Sequence, residues 1–300
     1  VIPTSLKFID PLLTAKGEER AYVDLKELNT LWFNTGSLCN LTCQNCYIES
    51  SPKNDRLSFI SVHDVLPFLN EIKDQGLPTT LIGLTGGEPF ANPHIISVIE
   101  LILDHGFEVL VLTNAYKVLK KHQMALLDFK NKFPDKFKIR VSLDHYTKEI
   151  HEKERGENTF DETLLNISWL MDNGFTVSIA GRSLFKEDQN LVILGYQSLT
   201  SVQSIVIFPE MDVQHNVPEI TTSCWNILSK KPSDQMCASE RMIIKKKGEE
   251  KAVVMPCTLL AYDAQFELGH SLKEAKQRVY LNHPFCAKFC VLGGASCSPK

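Results

Sequence analysis

Six short apolar runs, ending near Phe33, Leu84, Leu112, Leu143, Ala180 and Phe208, alternate with segments whose apolar residues recur at helical spacing. That alternation restricts the fold more than any other feature of the chain. Strands joined through helices pair in parallel, because each crossover returns the chain to the same end of the sheet. The runs at 81–84 and 109–112 are continuously apolar, and 177–180 is broken only by Ser178, as strands covered on both faces tend to be. The expected fold is therefore α/β, a partial (β/α)6 TIM-like barrel. Helices are expected at 61–75, with Val62, Val65, Leu66, Leu69 and Ile72 on one face, and at 93–105 before Gly106. Three more are expected at 116–131, over Phe160, Leu164, Ile167 and Met171 before Gly174, and at 187–200. Pro67 suits the first helix if Asp64 is its N-cap, whereas a start at Ser61 makes it a kink.

Ligands of such sheets collect at the C-terminal ends of the strands. The polar punctuation falls there: the cysteine loop 39–47 after the first run, Thr85-Gly86-Gly87-Glu88-Pro89 after the second, and Thr113-Asn114 after the third. Ser142-Leu143-Asp144 and Arg182 follow at the next two ends. Cys39, Cys43 and Cys46 stand at C-x3-C-x2-C, and a short loop can turn three such sulfurs towards one point. Three thiolates are one fewer than a closed tetrahedral zinc or an all-cysteine iron–sulfur cluster takes. Either a distant cysteine completes the set or one metal position stays open; a zinc knuckle or buried structural thiols are the plainer readings. Gly86 and Gly87 allow close approach of a ligand to backbone, or simply make a tight turn. Thr113, Asn114 and Ser142 offer neutral donors and acceptors for a ribose or carboxylate, or cap strand ends. Arg182 can grip a carboxylate with both arms or make a surface salt bridge. His145 and Tyr146, next to Asp144, are expected on a solvated loop.

Beyond Phe208 the alternation stops. Residues 209–236 hold Pro209, Pro218 and Pro232 and read as a linker; 237–300 reads as a small separate domain. With an arm over 1–29 and the barrel over 30–208, four segments result. The last one is expected to contain a hairpin (241–244, a charged turn 245–251 with Gly248, and 252–255) and a helix at 271–280. Six of the nine cysteines lie late: Cys224, Cys237, Cys257, Cys286, Cys290 and Cys297. So small a piece has little core of its own, and a metal cluster would supply what burial does not. A chain of 300 residues with 43% hydrophobic content needs no disulfide framework, so tightly spaced thiols point to metal and to a reducing, cytoplasmic compartment. A net charge of −4 with mixed signs gives no case for nucleic acid. No apolar run approaches the roughly 20 residues of a membrane span.

Taken together, the cysteine triplet, Gly86-Gly87-Glu88-Pro89, Arg140-Val141-Ser142-Leu143-Asp144 and Arg155-Gly156 resemble the radical S-adenosylmethionine (SAM) superfamily. The wording resembles the branch with a C-terminal SPASM or Twitch auxiliary-cluster domain, and the resemblance covers most of 30–300. It implies that Cys39, Cys43 and Cys46 hold three irons of a 4Fe–4S cluster while SAM chelates the fourth. It implies reductive cleavage of SAM to a 5′-deoxyadenosyl radical that abstracts hydrogen from an organic substrate. Gly86, Gly87, Glu88 and Pro89 would bind the methionine amino group, with Asn114, Ser142, Arg182 and Tyr47 as further SAM contacts. The position before the third cysteine is often aromatic in that family; here it is Asn45, with Tyr47 just beyond.

The resemblance also implies one auxiliary 4Fe–4S cluster on Cys237, Cys257, Cys286 and Cys290, with Cys297 as substitute and Cys224 free. Six thiols are too few for the two clusters of a full SPASM domain, and a four-thiolate zinc is the alternative metal. The implied partners are an external low-potential electron donor such as flavodoxin or ferredoxin, and a small-molecule substrate or a ribosomal peptide. The short stretch before the first strand leaves little room for a leader-binding domain and tilts the expectation to a small molecule. A non-catalytic zinc-binding module is the alternative of a different class, and no general base is assigned.

Overall fold

The computed structural model describes residues 6–183, 187–209 and 217–294. A short β1 (Tyr22–Val23) precedes six parallel strands: β2 (Thr30–Asn34), β3 (Leu81–Thr85), β4 (Glu108–Thr113), β5 (Phe137–Ser142), β6 (Thr176–Ser183) and β7 (Ser204–Pro209). These are the six runs of the sequence pattern. All residues of β2 and β3 are buried, which is why those runs carry no polar alternation. The α/β half-barrel expected from the alternation is present.

The crossover helices are α1 (Val62–Asp74), α2 (Ile95–Asp104), α3 (Gln123–Lys132), α4 (Lys148–Arg155), α5 (Phe160–Asp172) and α6 (Gln189–Leu199). Helix α1 starts after Ser61, not Asp64. The Asp64 carboxylate accepts from the Ser61 backbone N–H at 2.9 Å, closing a capping box, so Pro67 lies inside the helix. Helix α3 is shorter than expected because a 3-10 turn, Val118–His122, takes up the start of its segment. Helix α4 has no counterpart in the apolar pattern. Its buried residues are His151, Glu154 and Arg155, a polar face that hydropathy cannot register.

The C-terminal hairpin forms as expected, as β8 (Glu240–Ile244) and β9 (Val253–Met255), but it joins the barrel. Strand β8 pairs in parallel with β2, Thr30 opposite Glu240 and Phe33 opposite Ile243. The sheet therefore runs β7-β6-β5-β4-β3-β2-β8-β9 without a break at 209–236. Trp32 Nε1 donates to the Glu240 carboxylate at 2.6 Å, fixing the junction in the core. The helix expected at 271–280 does not form; a 3-10 turn, Glu274–Lys276, leads into β10 (Val279–Tyr280), which pairs antiparallel with β1. The linker segment holds a short α7 (Cys224–Ile227), a 3-10 turn, Pro232–Asp234, and the start of another, Met236–Ala238. The last described element is a π-helical segment, Cys286–Leu292. Among the described residues no helix is long and apolar enough to cross a membrane.

Candidate functional site

The loop after β2 and the turn after β3 interlock. Gly87 N–H donates to the Gly36 carbonyl (2.8 Å) and Glu88 N–H to the Leu38 carbonyl (3.2 Å). A Cβ on Gly87 would stand 2.1 Å from the Leu38 carbonyl oxygen, and one on Gly86, whose φ is +141°, would stand 2.7 Å from that of Gly36. The glycines are thus required first by the protein's own backbone, which comes as close as a ligand would. Glu88 is buried beneath this turn. Its carboxylate accepts from Phe90 N–H (3.1 Å), Thr113 Oγ1 (2.7 Å) and Asn114 N–H (2.8 Å), tying the ends of β3 and β4 together. Burial pushes its pKa up to about 7, against the opposing pull of those donors.

The cysteine loop is held from three directions. Gln44 N–H donates to the Glu154 carbonyl (2.9 Å) and Asn45 Nδ2 to the Glu154 carboxylate (2.8 Å), both on α4. Arg182 on β6 donates to the Asn45 carbonyl (3.1 Å), and the Tyr262 hydroxyl, from the C-terminal segment, to the Ile48 carbonyl (2.9 Å). Leu41 N–H points at Cys39 Sγ (3.4 Å) and Ser50 N–H at Cys46 Sγ (3.3 Å). Such donors favour a thiolate over a thiol and tune a cluster bound to it. Without an ion, burial pushes the Cys39 thiol up to about 12, with Glu88 adding, so iron would have to supply the compensating charge.

Behind the loop, Asp144 takes both arms of Arg155 (2.9 and 3.0 Å) and Nε of Arg182 (3.2 Å). Burial alone would raise this carboxyl, but the two guanidinium groups overcome it and hold the pKa at about 2. Arg155 in turn opposes the burial that raises Cys43. His151 lies beside this ion cluster on α4, wholly buried with no hydrogen-bond partner on either ring nitrogen, and burial lowers its pKa to about 3.

These elements line a cavity that is partly open to solvent. Cys39, Cys43, Cys46, Tyr47, Gly86, Gly87, Thr113, Asn114, Ser142 and Arg182 all line it. Glu88 and Pro89 do not; Glu88 turns inward as described, and both are buried in the turn. His145 and Tyr146 also lie off the cavity. His145 is buried rather than solvated, bonded to Glu187 (3.0 Å) and stacked on Tyr146 (4.2 Å between centroids). Arg182 pairs with buried Asp144, not with a surface carboxylate. The sequence pattern did not single out Arg140, Ser50, Phe208, Leu259 or Phe289 as cavity residues, though all five line it. The Ser50 hydroxyl is buried there without a hydrogen-bond partner, a donor with nothing yet to bind.

The C-terminal thiols form a second group. Cys237, Cys257 and Cys286 are buried and Cys290 half-buried, none of them in a disulfide. Cys286 and Cys290 lie four residues apart on the π-helical segment, which brings them to neighbouring turns. Burial raises Cys286, and Cys237 adds to the rise, so those two thiols feel one another. Cys224 is engaged by its own turn, with Thr221 N–H (3.4 Å) and hydroxyl (3.3 Å) on its sulfur. Cys297 lies outside the described residues. Among the described residues no three His, Cys, Asp or Glu side chains converge tightly enough for one metal ion.

A parallel half-barrel with three cavity-facing thiols on its first strand-end loop defines a class of cluster-binding α/β enzymes. The chain belongs to the radical SAM superfamily, whose profile matches residues 33–188. Members of that family bind a 4Fe–4S cluster and SAM. The chain is similar to the antilisterial bacteriocin subtilosin biosynthesis protein AlbA of Bacillus subtilis, 32% identical over half of this chain and 32% of AlbA. It is 27% identical to GTP 3′,8-cyclase of Haemophilus influenzae over 46% of this chain and 39% of the cyclase. The chain thus spans less than half the length of the curated relatives it matches. Among solved structures, Streptococcus suis SuiB bound to SAM superposes with TM-score 0.60 at 14% identity, over 81% of this chain and 63% of SuiB. Native anSMEcpe with bound AdoMet gives 0.63 at 16% identity, over 89% and 84%. At these identities the likeness is one of fold.

Proposed function

We propose that this chain cleaves SAM on a cluster held by Cys39, Cys43 and Cys46 and abstracts hydrogen from a peptide, with an auxiliary cluster on Cys237, Cys257, Cys286 and Cys290. The observation that carries this reading is one cavity lined by Cys39, Cys43 and Cys46 together with Leu259 and Phe289, which stand close in the chain to Cys257 and to Cys286 and Cys290. The first cluster supplies the low-potential electron for SAM cleavage. The chain's own part is placement. The backbone of Gly86 and Gly87 receives the methionine end, and Asn114, Ser142, Arg182, Tyr47 and Ser50 offer polar contacts around it. Glu88 and Pro89 shape the turn rather than touch the ligand. Asp144, locked by Arg155, holds Arg182 against the Asn45 carbonyl and so steadies the cysteine loop.

A peptide substrate is favoured by the relatives. AlbA is named for bacteriocin biosynthesis, and SuiB, which superposes with TM-score 0.61, is known bound to the precursor peptide SuiA. The tilt towards a small molecule rested on the short stretch before β2. That ground falls away for a chain spanning a third of AlbA. The test is anaerobic reconstitution of the full chain with iron, sulfide, SAM and a one-electron reductant. Release of 5′-deoxyadenosine, with deuterium carried into it from a labelled candidate peptide, is the expected result. Protein that holds zinc without iron or sulfide would end the enzyme reading. Deuterium arriving from a nucleotide and from no peptide would replace it with the small-molecule reading, which the cyclase likeness favours.

A further inference from the structure

Two arginines are wholly withdrawn from solvent: Arg241, hydrogen-bonded to the Cys237 carbonyl, and Arg20, next to the strand that pairs with the approach to Cys286. Arg241, on β8, donates to backbone carbonyls: Nε to Ala275 (2.9 Å), Nη1 to Cys237 (2.6 Å) and to Glu240 (2.8 Å). Arg20, just before β1, donates from Nε to the Asp10 carbonyl (3.0 Å) and from Nη2 to the Leu13 carbonyl (2.8 Å) and the Glu219 carboxylate (2.7 Å). Its Nη1 is buried with no acceptor. The pairing of β1 with β10, and the bond from Leu281 N–H to the Ala21 carbonyl, bring Arg20 to the segment that runs into Cys286.

Burying a guanidinium costs several kcal/mol unless an anion and enough acceptors meet it. Glu219 meets Arg20 on one side only. The bonds described for Arg241 end on neutral carbonyls, and the neighbouring Glu240 carboxylate is engaged by Trp32. Arg20 thus has one anionic partner and one buried N–H without an acceptor, and Arg241 is met by carbonyl oxygens. Four thiolates around a dicationic four-iron core carry a net double negative charge, which becomes triple when the cluster takes up one electron. A fixed buried cation favours the more negative state, and a donor to sulfur acts in the same direction.

We propose that Arg20 and Arg241 form a buried cationic cradle for a cluster on the C-terminal cysteines, with Arg20 Nη1–H donating to a cluster or thiolate sulfur, and that together they raise its reduction potential. This rests on the reading of Cys237, Cys257, Cys286 and Cys290 as cluster ligands. The two are positioning residues: they set how readily the auxiliary cluster accepts an electron and touch no substrate.

The experiment uses the full chain carrying Cys39→Ala, Cys43→Ala and Cys46→Ala, so that any remaining cluster is auxiliary. Iron and sulfide are counted first, and absence of both overturns the ligand reading itself. With a cluster bound, its midpoint is titrated by electron paramagnetic resonance. Arg20→Gln and Arg241→Gln are each expected to raise the oxidised-to-reduced ratio at a fixed potential about tenfold, a shift of about 59 mV to the negative for a one-electron couple. Arg20→Lys, which keeps the charge, is expected to recover most of that shift. Full iron content with a midpoint moved less than about twofold in ratio in both Gln variants (some 18 mV by the same conversion) overturns the inference. One further measurement needs no arginine substitution and so survives a variant that fails to fold. With 15N-arginine incorporated, the reduced cluster is expected to show a hyperfine coupling to guanidinium nitrogen. Its absence overturns the hydrogen bond from Arg20.

Discussion

Cys39, Cys43 and Cys46 sit on a loop at a cavity wall, two of them half-exposed, with backbone N–H groups turned on two of the three sulfurs. Cys237, Cys257 and Cys286 sit inside the hydrophobic core, with whole guanidinium groups buried beside them. The first arrangement leaves a side open, as a site that exchanges a cofactor must. The second closes over its thiols, as a site that only passes charge can. The difference teaches that the same thiol chemistry can be set in two unlike surroundings of one chain, an open wall and a closed core.

The comparison breaks most sharply by removing each group in turn. Cys39→Ala/Cys43→Ala/Cys46→Ala is expected to abolish release of 5′-deoxyadenosine. Cys237→Ala/Cys257→Ala is expected to retain that release and lose product, read by chromatography of nucleoside and peptide together. Unchanged product yield in the second variant would remove the auxiliary site from the mechanism. Next in size is Arg155→Met. It leaves buried Asp144 with Arg182 alone and is expected to cost about 3–5 kcal/mol in urea unfolding. Glu88→Gln sets an amide donor against at least one of three donors and is expected to cost about 1–3 kcal/mol by the same measurement. Tyr262→Phe cuts a bond between the C-terminal segment and the cysteine loop, for about 0.5–1.5 kcal/mol. A larger loss there would mean that the first site leans on the second more than the geometry indicates.

Acid should also separate buried groups near the first site. His151 binds its proton near pH 3 folded, against an ordinary value of 6.5, so the unfolded chain holds more protons across that window. Its contribution to stability is therefore present above pH 6.5 and lost as pH falls towards 3. Asp144 acts with the same sign lower down, losing its contribution as pH falls through about 2. Glu88, raised to about 7 from 4.5, acts oppositely: its contribution is present below pH 4.5 and lost as pH rises through about 7. His151→Phe is expected to flatten the acid-side slope of unfolding free energy between pH 6.5 and 3, and an unchanged slope would mean that His151 finds a partner.

Much of the barrel and the first cysteine site was legible because both are local. Strand runs, helix periods and C-x3-C-x2-C are read within a few residues of one another. The misses are non-local or polar. No short-range signal tells β8 to pair with β2, so the hairpin read as part of a separate domain. Helix α4 buries charge instead of hydrocarbon, and without that face the link from Glu154 to the cysteine loop stayed hidden. The segment 271–280 has helical composition, yet its end is taken by pairing with the N-terminal arm, so tertiary context overrode propensity. Cavity residues Phe208, Leu259 and Phe289 come from strand, loop and π-helical segments far apart in sequence. Arg20 and Arg241 look like ordinary surface residues until the core is assembled around them.

The pairing of β2 with β8 also bears on how the chain is made. As synthesis proceeds from the N-terminus, β2 can acquire β3 early, but its other edge stays open until Glu240–Ile244 has left the ribosome. Strand β2 is buried throughout and mostly apolar; such a strand left uncovered is an aggregation hazard, and closing it over so long a stretch of chain is slow. The strand that leads to the first cysteines thus keeps one edge unpaired through most of the chain's synthesis. A nascent chain stalled before β8 is expected to be a better chaperone client than one stalled just after it.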